Sequence, residues 1–350
     1  MNAGYFHDVY ARCGAEFWVN NPSMSEMQMA LRAGAVGVAS NPVYIAALLK
    51  SEPEYVHVII DEVLEQAKQV KDEELAMQVL QKTVLRPLAL FHPLYGQSHG
   101  RHGHVAIQGN PRRNNDLGTI MKEAEAFHNL GENIIIKVPA TIEGAQAMEE
   151  LTARGWSTIG TMSFSVAQYA YMAEAHRRGL QRTKKKPRCL ITMLPGIFDE
   201  YLAEYSAGHG IEVSPEALRQ AGITTARAAY RVYRERNYEA IVLSGGARST
   251  FHWTELVGPG IAMTLGGTLT ESLLSEHPQT TDRVQESAPS ETIAELRRKF
   301  PDFVRACDAD ALAPEDFRSY GPVVRFQDIF LGGFAALIKE IQSRRRKEQR

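Results

Sequence analysis

One lysine lies inside an apolar run, Ile134-Ile135-Ile136-Lys137-Val138-Pro139. A buried ammonium is costly unless it is paired or neutral. Desolvation lowers the pKa of an amine, and only the neutral amine attacks a carbonyl. The chemistry on offer is Schiff-base formation at Lys137. The same pattern also fits a lysine snorkelling from a strand end, or one paired with a carboxylate, and the pattern alone does not choose. A second group is His99, His102 and His104, in QSHGRHGHVAIQ. A histidine there could serve as acid or base near neutral pH. The HxxHxH spacing could hold a metal, but no carboxylate is set in the pattern, so a polar loop entering a strand is the plainer reading and no metal is expected. Cys13, Cys189 and Cys307 are odd in number and far apart, which shows neither a disulfide framework nor a CxxC site.

The elements that must position these groups are short apolar runs separated by helix-like stretches. Strands are expected near 16–20, 36–40, 104–108, 133–138, 157–161, 188–193, 240–244 and 261–265. They are apolar on both faces, which fits buried parallel strands. Between them, Thr141 can cap a helix whose Ile142, Ala145, Met148 and Leu151 share a face. A helix is expected over 165–178, ending before Gly179. Another is expected over 215–236, and one or two over 54–90. Eight strands each followed by helix suggest an α/β fold, a single (β/α)₈ TIM barrel over residues 1–276. A doubly wound open sheet is the alternative, although no GxGxxG follows the first strand. From 277 a polar, proline-containing loop leads to helical pieces near 293–306 and 325–344. Residues 277–350 thus read as a C-terminal extension packing on the barrel, with Phe330, Leu331, Phe334, Leu337 and Ile341 on its apolar face.

In a parallel barrel the carboxyl ends of the strands build the active site. The polar residues there are Asn20, Asn41, Gln108, Lys137, Thr161, Thr192 and Arg248. Each has a plainer reading. Asn41 precedes Pro42 and could shape a turn, Thr161 could cap the next helix, and Arg248 could pair with a surface carboxylate.

The composition bounds the partners. The chain has 350 residues, 44% hydrophobic and 23% charged, with a formal charge of −2. Such a chain can bury its own core, and its balance gives no pull toward nucleic acid. The basic runs Lys184-Lys185-Lys186 and Arg344-Arg345-Arg346-Lys347 read as a solvated loop and a solvated tail. No 18-residue apolar run stands out, and the N-terminus does not read as a signal peptide, so no membrane partner and a cytoplasmic setting are expected. A homo-oligomer is compatible with all of this.

The segment NIIIKVPATIEGAQAMEEL resembles the Schiff-base segment of transaldolases and fructose-6-phosphate aldolases. VGVASNPVYI is similar to the family's second-strand segment, where a TTNPS-like run is usual. STIGTMSFSVAQ resembles its fifth strand, and VLSGGARSTFHWTELVGPGIAMTLGGTLTESLL its seventh and eighth. The resemblance implies a class I aldol mechanism with no cofactor. Lys137 would form an imine with a ketose, the C3–C4 bond would break, and a dihydroxyacetone unit would be released or transferred. It places the strand-three acid/base position on Gln108 and the water-holding threonine on Thr161. Substrate contacts fall on Asn41 and Thr192, and the phosphate-site arginine on Arg248, beside the backbone of Gly245-Gly246.

The departures are informative. The family's first strand usually ends in aspartate, and here Asn20 stands there. Gln108 is also an amide, and an amide cannot take up a proton near neutral pH. Losing a general base costs on the order of 10²- to 10⁴-fold in rate. Either another group supplies the base, or the reaction differs, or activity is weak. An arginine usual after strand six falls on Ile197, so a sulfonated or uncharged sugar competes with a sugar phosphate as substrate. Two further alternatives are a Schiff-base lyase on a different carbonyl and a non-catalytic sugar-binding or regulatory barrel.

Overall fold

The computed structural model describes residues 4–67 and 69–348. Its centre is a closed parallel barrel of β1 (Glu16–Asn20), β2 (Gly37–Ala39), β3 (His104–Gln108), β4 (Ile134–Pro139), β5 (Thr158–Thr161), β6 (Cys189–Met193), β7 (Ile241–Ser244) and β8 (Ile261–Leu265). Each strand pairs with the next, and β8 returns to β1 with Trp18 opposite Thr264. The (β/α)₈ expectation holds, and closure removes the open-sheet alternative.

Alternation along the strands sorts the interior into layers. Trp18, Ala106, Ile135, Ile159, Leu190, Leu243 and Ala262 form an apolar plug. Gly37 is needed beside it, since a Cβ there would lie 2.6 Å from the Trp18 ring. Two residues further along the same strands stand Asn20, Gln108, Lys137, Thr161, Thr192, Gly245 and Thr264. The strand period of two therefore places these side chains on the same inward face as the plug, at the carboxyl end.

The helices follow the expected pattern with some differences. Thr141 caps Ile142–Ala153, its Oγ1 accepting from the Gly144 N–H at 3.0 Å. The helix expected to stop before Gly179 runs Val166–Leu180, straight through that glycine. Gly179 is there for packing: a Cβ would approach the Glu149 carbonyl oxygen to 2.5 Å. The 54–90 stretch is two helices, Pro53–Gln66 and Asp72–Gln97, the second carrying Pro87 and Pro93 inside it. The 293–306 piece is split at Pro301 into Ser290–Lys299 and Pro301–Cys307.

The last helix, Gly321–Glu348, buries Phe330, Phe334, Leu337 and Ile341. Phe334, Leu337 and Ile341 join the core that surrounds the barrel. The segment Pro314–Arg346 is long and apolar enough to cross a membrane by composition, unlike the reading of the sequence; Phe330, Phe334, Leu337 and Ile341 are buried against the rest of the chain, while Val324 and Ile329 stay exposed. The basic run at its end is not simply a solvated tail. Arg344 pairs with Asp61, and Arg345 with Asp72 at 2.7 Å. The side chain of Lys347 lies outside the described residues.

Candidate active site

Lys137 is 8% exposed, and its Nζ donates to the backbone carbonyl of Ser40 at 2.8 Å. Among the described residues no carboxylate pairs with it, so of the three readings of the pattern the carboxylate-paired one fails. Burial alone lowers its pKa to about 8, with no charged neighbour adding to the shift. A sizeable fraction of this amine is therefore neutral near physiological pH.

The amine opens into a cavity of about 160 Å³ at the carboxyl end of the barrel. Asn20, Asn41, Thr161, Thr192, Gly246 and Arg248 all line it. Thr161 does not cap the following helix; Ser165 does, accepting from the Gln168 N–H at 3.1 Å. Asn41 does two things, since its Oδ1 also accepts from the Val43 N–H at 3.0 Å and so shapes the turn before Pro42. Thr192 Oγ1 is buried with no hydrogen-bond partner among the described residues. Such an orphaned polar atom costs about 1–3 kcal/mol unless something supplies the missing bond.

Gln108 is the exception. It stands opposite Lys137 in the β3–β4 register and is 2% exposed, but it does not line this cavity. Its amide oxygen and nitrogen both lack a partner among the described residues. It borders a smaller void of about 10 Å³ shared with Lys137 and Glu123. Glu123, on the helix Leu117–His128, accepts from the Asn110 N–H at 3.0 Å, and burial pushes its carboxyl up to about 7.

At the far side of the cavity, Arg248 forms the pair with a surface carboxylate that the sequence left open. Its Nε lies 2.5 Å and its Nη2 3.2 Å from the two oxygens of Glu200. Gly246 has φ +65°, and a Cβ there would meet the Ile197 side chain at 2.6 Å, so glycine is required twice over. Ile197 itself lines the cavity where the resemblance puts an arginine.

The histidines lie elsewhere. His104 is at the opening residue of β3, at the amino-terminal end of the barrel, its Nε2 3.0 Å from the Gly100 carbonyl oxygen. His102 lies 3.7 Å from Glu16. Neither lines the Lys137 cavity, so their use as acid or base at Lys137 is ruled out by the barrel's length. His99 adopts φ +52° in the turn before them. Among the described residues no three His, Cys, Asp or Glu side chains are grouped to hold a metal.

Several lining residues escaped the sequence reading. Asn21, at φ +47°, donates to Asn41 Oδ1 at 3.1 Å and lines the cavity beside Asn20. Thr264 lines it from β8, two residues beyond the plug residue Ala262, which is the periodicity signal that could have found it. Phe326, Ile329 and Phe330 reach it from the C-terminal helix, and nothing local in the sequence ties them to the barrel mouth. A larger, mostly apolar cavity of about 430 Å³ lies between that helix and the loops after β3 and β4; it contains none of the candidate residues.

Comparison with known proteins gives the family. The family model described as transaldolase/fructose-6-phosphate aldolase matches residues 17–313. A transaldolase of Arthrobacter sp. (strain FB24) is 26% identical over 286 residues, covering 72% of this chain and 76% of the relative. One of Thiobacillus denitrificans is 27% identical over 240 residues, 64% of this chain and 66% of that protein. One of Thermobifida fusca is 25% identical over 287 residues, 72% and 77% of the two chains. With a closed barrel, a buried strand-four lysine and a match over most of its length, the chain belongs to the transaldolase/fructose-6-phosphate aldolase family and so to the transaldolase/aldolase class of enzymes.

Proposed function

We propose that the protein is a cytoplasmic Schiff-base aldolase of the transaldolase type, acting on a ketose that carries a phosphate or sulfonate. The single observation behind this is Lys137, a buried amine with no charged neighbour, opening into a cavity lined by amides and hydroxyls. Its neutral nitrogen attacks the ketose carbonyl carbon to give a carbinolamine. Uptake of a proton from solvent and loss of water yield the protonated imine, which accepts the electron pair of the C3–C4 bond as the C4 hydroxyl gives its proton to a bound water. The aldehyde leaves, and a three-carbon enamine stays on Lys137. A second aldehyde captures it, or protonation and water release it as dihydroxyacetone.

Each remaining side chain has a role that follows from its chemistry. Asn20 and Asn41 hold substrate hydroxyls, as amides that both donate and accept. Thr192 offers its unpartnered hydroxyl to the three-carbon unit. Thr161 holds a water in the cavity that takes the C4 proton and passes it to bulk solvent, since an alcohol cannot keep it, and Gln108 orients the amine from the small void it shares with Lys137. Arg248 and the Gly245-Gly246 backbone take the anion. The barrel does the chemistry, and the C-terminal extension packs on it and brings Phe326, Ile329 and Phe330 to its mouth.

The test is intact-protein mass measurement after borohydride treatment, with fructose 6-phosphate, sulfofructose, fructose and dihydroxyacetone offered in turn. A three-carbon adduct that disappears in Lys137→Ala is the expected result, and the best donor reports what the anion end accepts. An adduct that survives in Lys137→Ala overturns the assignment. One observation favours a second reading: the cavity lining among the described residues includes no carboxylate. A sugar that raises the melting temperature with neither adduct nor turnover would make this a sugar-binding barrel.

A further inference from the structure

Two guanidinium groups, of Arg248 and Arg325, meet on the Glu200 carboxylate just outside the cavity, and of these three side chains Arg248 is the one that lines it. Glu200 lies on the helix Pro195–His209, one turn beyond Ile197. Its Oε2 is 3.2 Å from Arg248 Nη2 and 3.4 Å from Arg325 Nη2. Arg325 also binds Glu204, at 2.6 Å through Nε and 2.5 Å through Nη2. It immediately precedes Phe326, which lines the cavity from the C-terminal helix. Arg325 Nη1 is buried and has no hydrogen-bond partner among the described residues.

We propose that Arg325 is the second cation of the substrate's anion site, and that Glu200 is a resident competitor which an anionic substrate displaces from Arg248 and Arg325. The proposal rests on reading the cavity as a ketose site and specifies how its anion end is built. A planar guanidinium offers the same fork to a carboxylate, a phosphate or a sulfonate, so an oxygen already shared by two arginines marks where an oxyanion fits. A phosphate or sulfonate brings a third oxygen that a carboxylate lacks, and Arg325 Nη1, buried and without a partner among the described residues, is a donor that displacement of Glu200 would open to it. The Arg248–Glu200 pair is about two-fifths exposed on both sides, at 43% and 38%. Exposed pairs of this kind contribute little to stability, so exchanging the partner is cheap. The arrangement also accounts for Ile197. The cation that the resemblance expects beside strand six arrives from the end of the chain instead.

The test uses the full-length protein with inorganic phosphate and sulfate as probes, followed by calorimetry, and with fructose 6-phosphate and fructose as paired donors. Arg325→Gln is expected to weaken phosphate binding and raise KM for fructose 6-phosphate by about tenfold, the loss of roughly one charged hydrogen bond. KM for fructose should stay within about twofold, because a neutral donor gains nothing from either arginine. Glu200→Gln should move phosphate binding the other way, tightening it, and Arg325→Lys should restore part of what Arg325→Gln loses. Unchanged phosphate affinity in Arg325→Gln overturns the proposal. So does weaker affinity in Glu200→Gln, which would make Glu200 a clamp holding helix to barrel. Phosphate binding is also measured in Lys137→Ala, where it should persist. The anion site and the imine mechanism can then fail separately.

Discussion

The same eight strands enclose a buried charge at each end and treat the two in opposite ways. At the amino-terminal end Glu16 is in contact with Arg188, receives the Trp18 indole N–H at 3.3 Å, and has His102 nearby at 3.7 Å. Burial by itself would raise its pKa, but His102 and the Arg188 guanidinium outweigh burial and bring it down to about 2. At the carboxyl end Lys137 has a backbone carbonyl for company and no opposing charge. Its pKa falls to about 8 because nothing offsets its burial. The paired charge is fixed in its ionised form and does structural work. The unpaired one is brought close to neutrality and becomes a nucleophile. Burial is common to both; what separates an anchor from a reactive group is whether a partner was supplied.

Lys137→Met breaks the comparison hardest. Turnover and borohydride trapping should both fall to background. Thermal stability should hold or rise, since an apolar side chain of similar length removes an unpaired buried amine. Loss of both activity and stability would mean that Lys137 is a structural group like Glu16. Glu16→Gln is the converse experiment. It leaves the largely covered Arg188, 14% exposed, without its counter-charge, so stability in urea should drop by up to about 3 kcal/mol, while KM for the donor is unchanged because Glu16 is remote from the cavity.

Asn20→Asp sharpens the contrast by giving the reactive end the kind of partner it lacks. An aspartate at the end of β1 can take up the proton that an amide cannot. Turnover at about pH 9 should rise on the order of tenfold, the low end of general-base effects. The new charge also favours the ammonium form of Lys137, so the pH at which the rate levels off should move upward from about 8. A rate profile that neither rises nor shifts would show that Asn20 does not face the reacting atoms.

Much of this was legible in the sequence because strand alternation is a local signal. EFWVN, HVAIQ, IIIKV and IAMTL each put a plug residue and a site residue two apart, and the barrel follows from eight such runs. Lys137 was legible for the same reason, as a charge where the pattern demands an apolar side chain. What was not legible depends on pairing across the chain. Glu16 looked like an ordinary strand start because Arg188 is 172 residues away. Glu200 and Arg325 are separated by 125 residues and carry no motif. Gly179 looked like a helix terminator, since its role is set by the neighbouring helix rather than by its own.

Glu123 offers the finest test, because it is a half-buried carboxyl without the partner Glu16 enjoys. Burial raises it to about 7, and the nearby Glu73 and Asp116 push the same way, against the Asn110 N–H and the Arg113 guanidinium. Its ordinary value is 4.5. Between pH 4.5 and about 7 the folded state therefore holds a proton that the unfolded state has released. Stability falls as pH rises through that window and levels off above it. Glu16 runs the other way, its contribution present above its ordinary pKa and lost as pH falls toward about 2. Glu123→Gln keeps the shape of the protonated acid and cannot ionise. It should flatten the decline between about pH 4.5 and 7 by on the order of 1 kcal/mol in urea unfolding. A profile identical to that of the unaltered protein would mean that Glu123 stays ionised throughout, and that the void it shares with Gln108 and Lys137 is polar enough to hold a charge without an arginine.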